Sequence, residues 1–102
     1  MFIDCNRYTK EITFNFGDTA NVSCGMVDAA RAVSWFKNGN RISESAKPVI
    51  LPGKLSIGCF ESSDTGEYIC KDKITLSCID SYKLTVNNSG MLLHVILIVY
   101  IK

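Results

Sequence analysis

Histidine is nearly absent from this chain of 102 residues: His94 is the only one, and it lies in an apolar C-terminal stretch. The rest of the chain therefore cannot form a histidine-based triad or zinc cluster. A C-x-x-C pair, a glycine-rich phosphate loop and an H-E-x-x-H motif are also missing. Asp64 and Glu67 look like paired carboxylates, but a turn motif described below explains Asp64, and Glu67 has solvent-facing parity. We expect that the protein is not an enzyme and that it binds no cofactor, metal or small-molecule substrate.

Strong charge of either sign is missing as well. The formal net charge is +1, and the lysines and arginines are scattered along the chain. Binding to nucleic acid needs a clustered basic face, so we expect no nucleic-acid partner.

The sequence also lacks an apolar run long enough to span a membrane. Residues 91–101 are apolar apart from His94, but they number 11, whereas a transmembrane helix needs about 20. Three interpretations stay open: the start of a truncated membrane anchor, an extra β segment or docked tail, or the read-through end of a disrupted gene. Residues 1–5 show neither the basic nor the apolar region of a signal peptide. Either Met1 replaces a removed leader, or the gene model lacks its first exon.

Cysteine, by contrast, is abundant, with five in a chain of one-domain length. Such density in a short chain indicates an oxidising compartment, and hence a secreted or cell-surface protein. We divide the chain into a domain over residues 1–88 and an apolar tail over residues 89–102.

Three elements in sequence order predict the fold. Residues 64–70 read D-x-G-x-Y-x-C, in which Asp64, Gly66 and Tyr68 form a corner that leads into a strand ending in Cys70. Cys24 ends an earlier strand-like run, and Trp35 lies between the two cysteines. This order is typical of an immunoglobulin-like β-sandwich, in which the cysteines bridge the sheets, the indole packs on the bridge, and the tyrosine hydroxyl bonds upstream backbone. We predict an all-β, compact I/C2-like Greek key of two antiparallel sheets.

Period-two alternation places the strands. Ala20 and Val22 share the inward parity of Cys24, and Leu55 and Ile57 share one face of a later strand. Asn38-Gly39 is a strong hairpin signal. Residues 43–53 contain two prolines and are predicted to be an edge or a loop. The predicted strands cover residues 4–16, 19–24, 33–37, 40–42, 54–60, a stretch ending near 71, and 79–86.

Three cysteines lie outside the central bridge. Cys5 opens the first strand and Cys78 the last, and these strands run side by side in many such sandwiches, so a second bridge is geometrically reasonable; two unpaired thiols are the alternative. Cys59 is then odd. It is either a buried free cysteine, or an exposed thiol or intermolecular disulfide.

Asn21-Val22-Ser23 and Asn87-Asn88-Ser89 match the N-glycosylation sequon. Asn21 has outward parity, which suits a sugar. Chance occurrence is the alternative at both Asn21 and Asn87.

With these cysteines placed, the chain resembles the first immunoglobulin domain of the interleukin-1 receptor family over about residues 5–87. The resemblance rests on Cys5, on Val-Ser-Trp-Phe-Lys at residues 33–37, on residues 64–70, on Cys78 eight residues after Cys70, and on residues 82–86. It implies a Cys5–Cys78 disulfide beside Cys24–Cys70. It also implies a receptor or soluble decoy that binds a cytokine of the interleukin-1 class outside the cell.

We therefore expect a non-enzymatic extracellular recognition module, an immune receptor-like or cytokine-decoy fragment. One alternative is a cell-surface adhesion or accessory chain that pairs with another immunoglobulin domain, covalently through Cys59 and anchored by the tail. Another is a structural remnant without independent binding.

Two surfaces are candidates for a protein partner. The first is the hairpin tip, residues 71–77, where Ile74 and Leu76 stand among charged residues. The second is the Phe36–Arg41 face, where Phe36 has outward parity beside the inward Trp35. At both surfaces the alternative is that the apolar side chains pack back onto the domain.

Overall fold

The computed structural model describes residues 9–25, 32–45 and 47–88. Eight β-strands and one turn of 3-10 helix, Ser62–Asp64, are found in this part of the chain. In chain order the strands are β1 (Lys10–Asn15), β2 (Ala20–Ser23), β3 (Val33–Lys37), β4 (Asn40–Arg41), β5 (Val49–Leu51), β6 (Lys54–Ile57), β7 (Gly66–Asp72) and β8 (Cys78–Asn87).

The strands form two sheets packed face to face, as the sequence predicts. One sheet has the order β1-β8-β7-β3-β4 and the other the order β2-β6-β5. One pairing differs from the predicted antiparallel arrangement, because β1 runs parallel to β8, with Lys10 opposite Tyr82 and Asn15 opposite Asn87. These strands lie at opposite ends of the described chain, so no tight turn forces them to be antiparallel.

The core consists of alternate residues from both sheets. On β2 the buried residues are Ala20 and Val22, and on β6 they are Leu55 and Ile57. This confirms the parity read from the sequence, since successive side chains of a strand point to opposite faces. The full set of buried apolar residues is Ala20, Val22, Cys24, Trp35, Leu55, Ile57, Phe60, Tyr68, Cys70, Tyr82 and Leu84.

A disulfide between Cys24 and Cys70 joins the two sheets, with the Cα atoms 5.9 Å apart. Trp35 is 1% exposed and lies directly opposite Cys70 in the β3–β7 ladder. The sequence separation of the two cysteines is 46, and a closed loop of that size stabilises the fold by about 4 kcal/mol in the chain-entropy model. The predicted central bridge is thus confirmed.

Two connections refine the sequence prediction. Asn38 and Gly39 have φ angles of 49° and 86°, which is the conformation of a type I′ turn and agrees with the predicted hairpin. The prediction that residues 43–53 form an edge or a loop is confirmed in its first form, because β5 is an edge strand. This strand lies between Pro48 and Pro52 at the edge of the three-stranded sheet, where an apolar Val-Ile-Leu segment needs a hydrogen-bonding partner on one side only.

Candidate functional site

The corner motif is a network of structural contacts. The hydroxyl of Tyr68 donates to the backbone oxygen of Asp64 at 2.5 Å, which is the contact that the motif predicts. The Asp64 carboxylate accepts from the backbone N–H of Glu61 at 3.0 Å and lies 2.9 Å from the Nζ of Lys47. Burial, followed by the nearby charge of Asp64, raises the pKa of Tyr68 well above its usual value. Asp64 therefore stabilises a turn, and sequence reasoning missed Lys47 because the contact is tertiary.

Gly66 allows a second residue to approach the corner. A Cβ atom at Gly66 would lie 2.9 Å from the side-chain oxygen and nitrogen of Asn38. That oxygen accepts a hydrogen bond from the backbone N–H of Glu67 at 2.9 Å, and the backbone N–H of Asn38 donates to the Glu67 oxygen at 2.8 Å. The glycine of the motif thus makes room for a side chain that joins the β3–β4 turn to β7.

The hairpin tip is a hydrogen-bonded turn organised by Asp72, which is 7% exposed. Its Oδ1 accepts from the backbone N–H groups of Ile74 and Thr75 at 2.9 and 3.0 Å. Its backbone oxygen accepts from the N–H of Leu76 at 2.9 Å. An aspartate that binds N–H groups two and three residues later is a recognisable turn signal, but the sequence prediction did not use it.

This turn directs two large apolar side chains into solvent. Ile74 is 89% exposed and Leu76 is 61% exposed. Leu76 has a φ of 61°, a left-handed conformation that costs a non-glycine residue on the order of 1–2 kcal/mol, so the surrounding contacts must hold it there. The alternative in which Ile74 and Leu76 fold back onto the core is wrong.

The Phe36–Arg41 face is less open. Phe36 lies opposite Ile69 on β7 and opposite Arg41 on β4, so its side chain is on the outer face of the five-stranded sheet. It is only half-buried there, and the Nζ of Lys71 is 4.9 Å from its ring centroid, within cation–π range. Phe36 is therefore partly covered by its own domain, whereas Arg41 is exposed.

A cleft of about 420 Å³ runs along the edge of the sandwich from β4 towards the hairpin tip. Arg41, Glu44 and Lys73 contribute charges to its lining, together with the apolar side chains of Ile42 and Ile50. The cleft is lined by one residue of each predicted surface, Arg41 and Lys73, but not by Phe36, Ile74 or Leu76.

The remaining cysteines differ in state. Cys59 is free and exposed, with a φ of 48°, so the alternative that it is buried is wrong. Cys78 is disulfide-bonded. Cys5 lies outside the described residues, so the Cys5–Cys78 pairing stays a prediction.

Both sequon asparagines are exposed. Asn21 lies on the edge strand β2, and Asn87 is the last residue of β8. Neither structural position tests whether a sugar is attached. The apolar tail, with its predicted boundary at residue 89, lies outside the described residues.

Within the described residues, no histidine, cysteine or acidic side chains cluster in a way that could hold a metal ion. The same residues contain no helix of the length and apolar character that crossing a membrane requires.

Comparison with known proteins agrees with the observed fold. The family profile "Immunoglobulin domain" matches residues 10–82. Among solved structures, a human Ig-like domain of Obscurin-like protein 1 has a TM-score of 0.65 and 20% identity, covering 79% of this chain and 79% of that one. Drosophila Semaphorin 2a has a TM-score of 0.62 and 23% identity, covering 78% of this chain and 14% of that one. The CD2-binding domain of CD58 has a TM-score of 0.62 and 16% identity, covering 78% of this chain and 54% of that one.

The chain therefore belongs to the immunoglobulin domain family. The solved structures share its fold, and this chain spans only part of the semaphorin and CD58 chains. Members of this family are typically non-enzymatic modules of recognition and adhesion, and an immunoglobulin domain with an intrachain disulfide is typical of extracellular or cell-surface proteins.

Proposed function

We propose that this protein is a non-enzymatic recognition module that acts outside the cell, and that its protein partner binds the hairpin tip. The observation that carries the proposal is the exposure of Ile74 and Leu76 on a turn held by Asp72. Fully burying an aliphatic side chain of this size contributes roughly 1.5–3 kcal/mol. Two exposed aliphatic groups on one hydrogen-bonded turn offer a small apolar surface that a partner can cover.

The hydrogen bonds of the turn also favour binding. A turn that is already held by backbone hydrogen bonds loses little further conformational freedom when a partner binds. Lys71 and Lys73 flank the two apolar side chains and can form a polar rim around a small apolar centre. The chemistry of the tip thus suits a partner with an apolar pocket bordered by acidic groups.

The resemblance to the first domain of the interleukin-1 receptor family supports a narrower proposal. On that basis the partner is a cytokine of the interleukin-1 class, and the chain is an immune receptor-like or decoy fragment. The immunoglobulin domain and the Cys24–Cys70 bridge support the general class, and the Cys5–Cys78 bridge is the feature that would connect the chain to this family.

A second candidate function is pairing with another immunoglobulin domain, as an adhesion or accessory chain. The specific observation in its favour is that Cys59 is free and exposed. In an oxidising compartment such a thiol is available for an intermolecular disulfide. One structural neighbour, the CD2-binding domain of CD58, is by its name a domain of this fold that binds a protein.

Binding to a panel of interleukin-1-class cytokines and cell-surface immunoglobulin ectodomains tests these proposals. For any partner found, we expect Ile74→Ser with Leu76→Ser to weaken the equilibrium affinity at least 30-fold, which corresponds to about 2 kcal/mol. Val49→Ser with Leu51→Ser is the matched control, since it removes two exposed aliphatic side chains from the other sheet.

The outcomes separate the candidates. A cytokine as the partner supports the narrower proposal, and an immunoglobulin ectodomain supports the second candidate. An unchanged affinity in the Ile74 and Leu76 variant would contradict the assignment of the hairpin tip. Failure to bind any member of the panel would favour the structural-remnant interpretation.

A further inference from the structure

The outer face of the three-stranded sheet combines a sequon with two exposed aliphatic side chains. Asn21 of β2 lies directly opposite Ser56 of β6, which in turn lies opposite Val49 of β5. Side chains opposite each other in a sheet project from the same face. Asn21, Ser56 and Val49 therefore form one row across this outer face.

A parallel row begins at the other end of the same sequon. Ser23 lies opposite Lys54, and Lys54 lies opposite Leu51. Val49 and Leu51 are 38% and 36% exposed. Lys54 is the one charged member of these two rows, and the two aliphatic side chains stay partly exposed beside it.

We propose that Asn21, and not Asn87, carries an N-linked glycan, and that this glycan covers the outer face of the three-stranded sheet. The inference rests on the extracellular location in the proposed function. In this reaction the amide nitrogen of Asn21 forms a bond to C1 of a lipid-diphosphate-linked oligosaccharide. The C1–O bond breaks, the lipid diphosphate leaves with the electron pair, and the amide loses one proton.

The folded structure tolerates a sugar at Asn21. Its carboxamide makes no hydrogen bond with the part of the chain that the structure describes, and β2 is an edge strand of its sheet. Ala20 and Val22 on either side are buried, so the side chain between them points directly away from the core. Adjacent strands are about 4.8 Å apart, which places Val49 about 10 Å from Asn21 and within reach of a branched oligosaccharide.

The second sequon is less suitable. The Nδ2 of Asn87, the atom that a glycan would modify, already donates to the Oδ1 of Asn15 at 3.2 Å. The backbone oxygen of Asn87 accepts from the N–H of Phe16 at 3.0 Å. A sugar at this position would crowd the paired ends of β1 and β8, which lie side by side along this parallel ladder.

The consequence concerns where a partner binds. A glycan on Asn21 removes one face of the sandwich from protein contact, and with it the second pair of exposed aliphatic side chains. The five-stranded sheet and the hairpin tip then remain as the surfaces open to a partner.

The test expresses the full chain behind a cleavable signal peptide in eukaryotic secretory cells and measures the mass before and after enzymatic release of N-glycans. We expect one glycan on the parent chain, none on Asn21→Gln or Ser23→Ala, and one on Asn87→Gln. The Ser23→Ala variant keeps Asn21, so loss of the glycan there shows that modification requires the complete sequon. A glycan that persists in Asn21→Gln, or an unmodified parent chain, would overturn the proposal. For a variant that folds poorly and is not secreted, peptide mapping of total cell extract still shows which asparagine carries a glycan.

Coverage of the sheet is tested by hydroxyl-radical footprinting of the glycosylated parent and the Asn21→Gln variant. We expect labelling of Val49 and Leu51 to rise several-fold when the glycan is absent, whereas Ile74 and Leu76 serve as internal controls and do not change. Equal labelling at Val49 and Leu51 in both proteins would contradict the proposal that the glycan covers this face. The partner-binding experiment of the proposed function can be run with refolded protein that carries no glycan, so that failure of partner binding and failure of glycosylation are distinguished.

Discussion

Replacing Gly66 by alanine tests the physical reason for the glycine in the corner motif. The new Cβ would lie 2.9 Å from the side-chain amide of Asn38, a distance that real Cβ contacts do not adopt. Gly66 lies in β7 and does not have a positive φ, so the backbone itself accepts alanine. The conflict is therefore with the end of one side chain, and we expect Asn38 to swing away.

The cost follows from what Asn38 loses by moving. Its hydrogen bond to the N–H of Glu67 contributes about 0.5–1.5 kcal/mol. Against this, a Gly→Ala change at a compatible site stabilises by about 0.4–1 kcal/mol through the unfolded chain. In the parent protein the two terms nearly cancel. In an Asn38→Gly background only the second remains, because glycine also suits the φ of 49° at this position.

A double-mutant cycle by urea denaturation measures this difference. We expect Gly66→Ala to be neutral or mildly destabilising in the parent and stabilising with Asn38→Gly, giving a coupling energy of about 1 kcal/mol. In a domain of this size, a change of about 1 kcal/mol in the free energy of unfolding shifts Tm by about 4–8 °C. Equal effects of Gly66→Ala in both backgrounds would refute the reasoning. A loss above about 2 kcal/mol in both would show that the backbone, and not Asn38, excludes the methyl group.

Three further predictions concern the core, the corner and the hairpin tip. Replacing Cys24 and Cys70 together by alanine should lower the free energy of unfolding by about 4 kcal/mol, measured in urea, and a loss below about 1 kcal/mol would contradict the loop-closure argument. Because the pKa of Tyr68 is raised in the folded state, only the unfolded chain releases this proton just above pH 10. The contribution of Tyr68 to stability is therefore fully present below pH 10. Above pH 10 the free energy of unfolding falls by up to about 1.4 kcal/mol per pH unit. Tyr68→Phe should reduce this slope in a Cys59→Ser background, which prevents thiol–disulfide exchange in alkali, and an unchanged slope would assign the effect to other groups. Asp72→Ala should accelerate hydrogen exchange at the amides of Ile74 and Thr75, with the amide of Ile69 in β7 as the control; unchanged rates would mean that Asp72 does not hold the tip.

Local sequence patterns were sufficient for the fold and much of its core. Cys24, Trp35 and the run ending in Cys70 predict the sandwich, because an inter-sheet bridge with a neighbouring indole and a corner tyrosine is a packing solution that short motifs encode. The parity of Ala20, Val22, Leu55 and Ile57 follows from the two-residue period of any strand. These features depend on residues close in sequence, apart from the bridge itself.

Tertiary structure decided the features on which the proposed function depends. Whether Ile74 and Leu76 face water, whether Cys59 is buried and how much of Phe36 is covered are properties of how distant segments meet, and no local period encodes them. The parallel pairing of β1 with β8 and the contact of Lys47 with Asp64 have the same origin. Parity placed Asn21 on an outer face, but only the register of β2, β6 and β5 showed that it shares this face with Val49 and Leu51. The physical reason is that a strand determines the alternation of its own side chains, whereas its neighbours and the free energy of packing determine which face is left exposed to solvent.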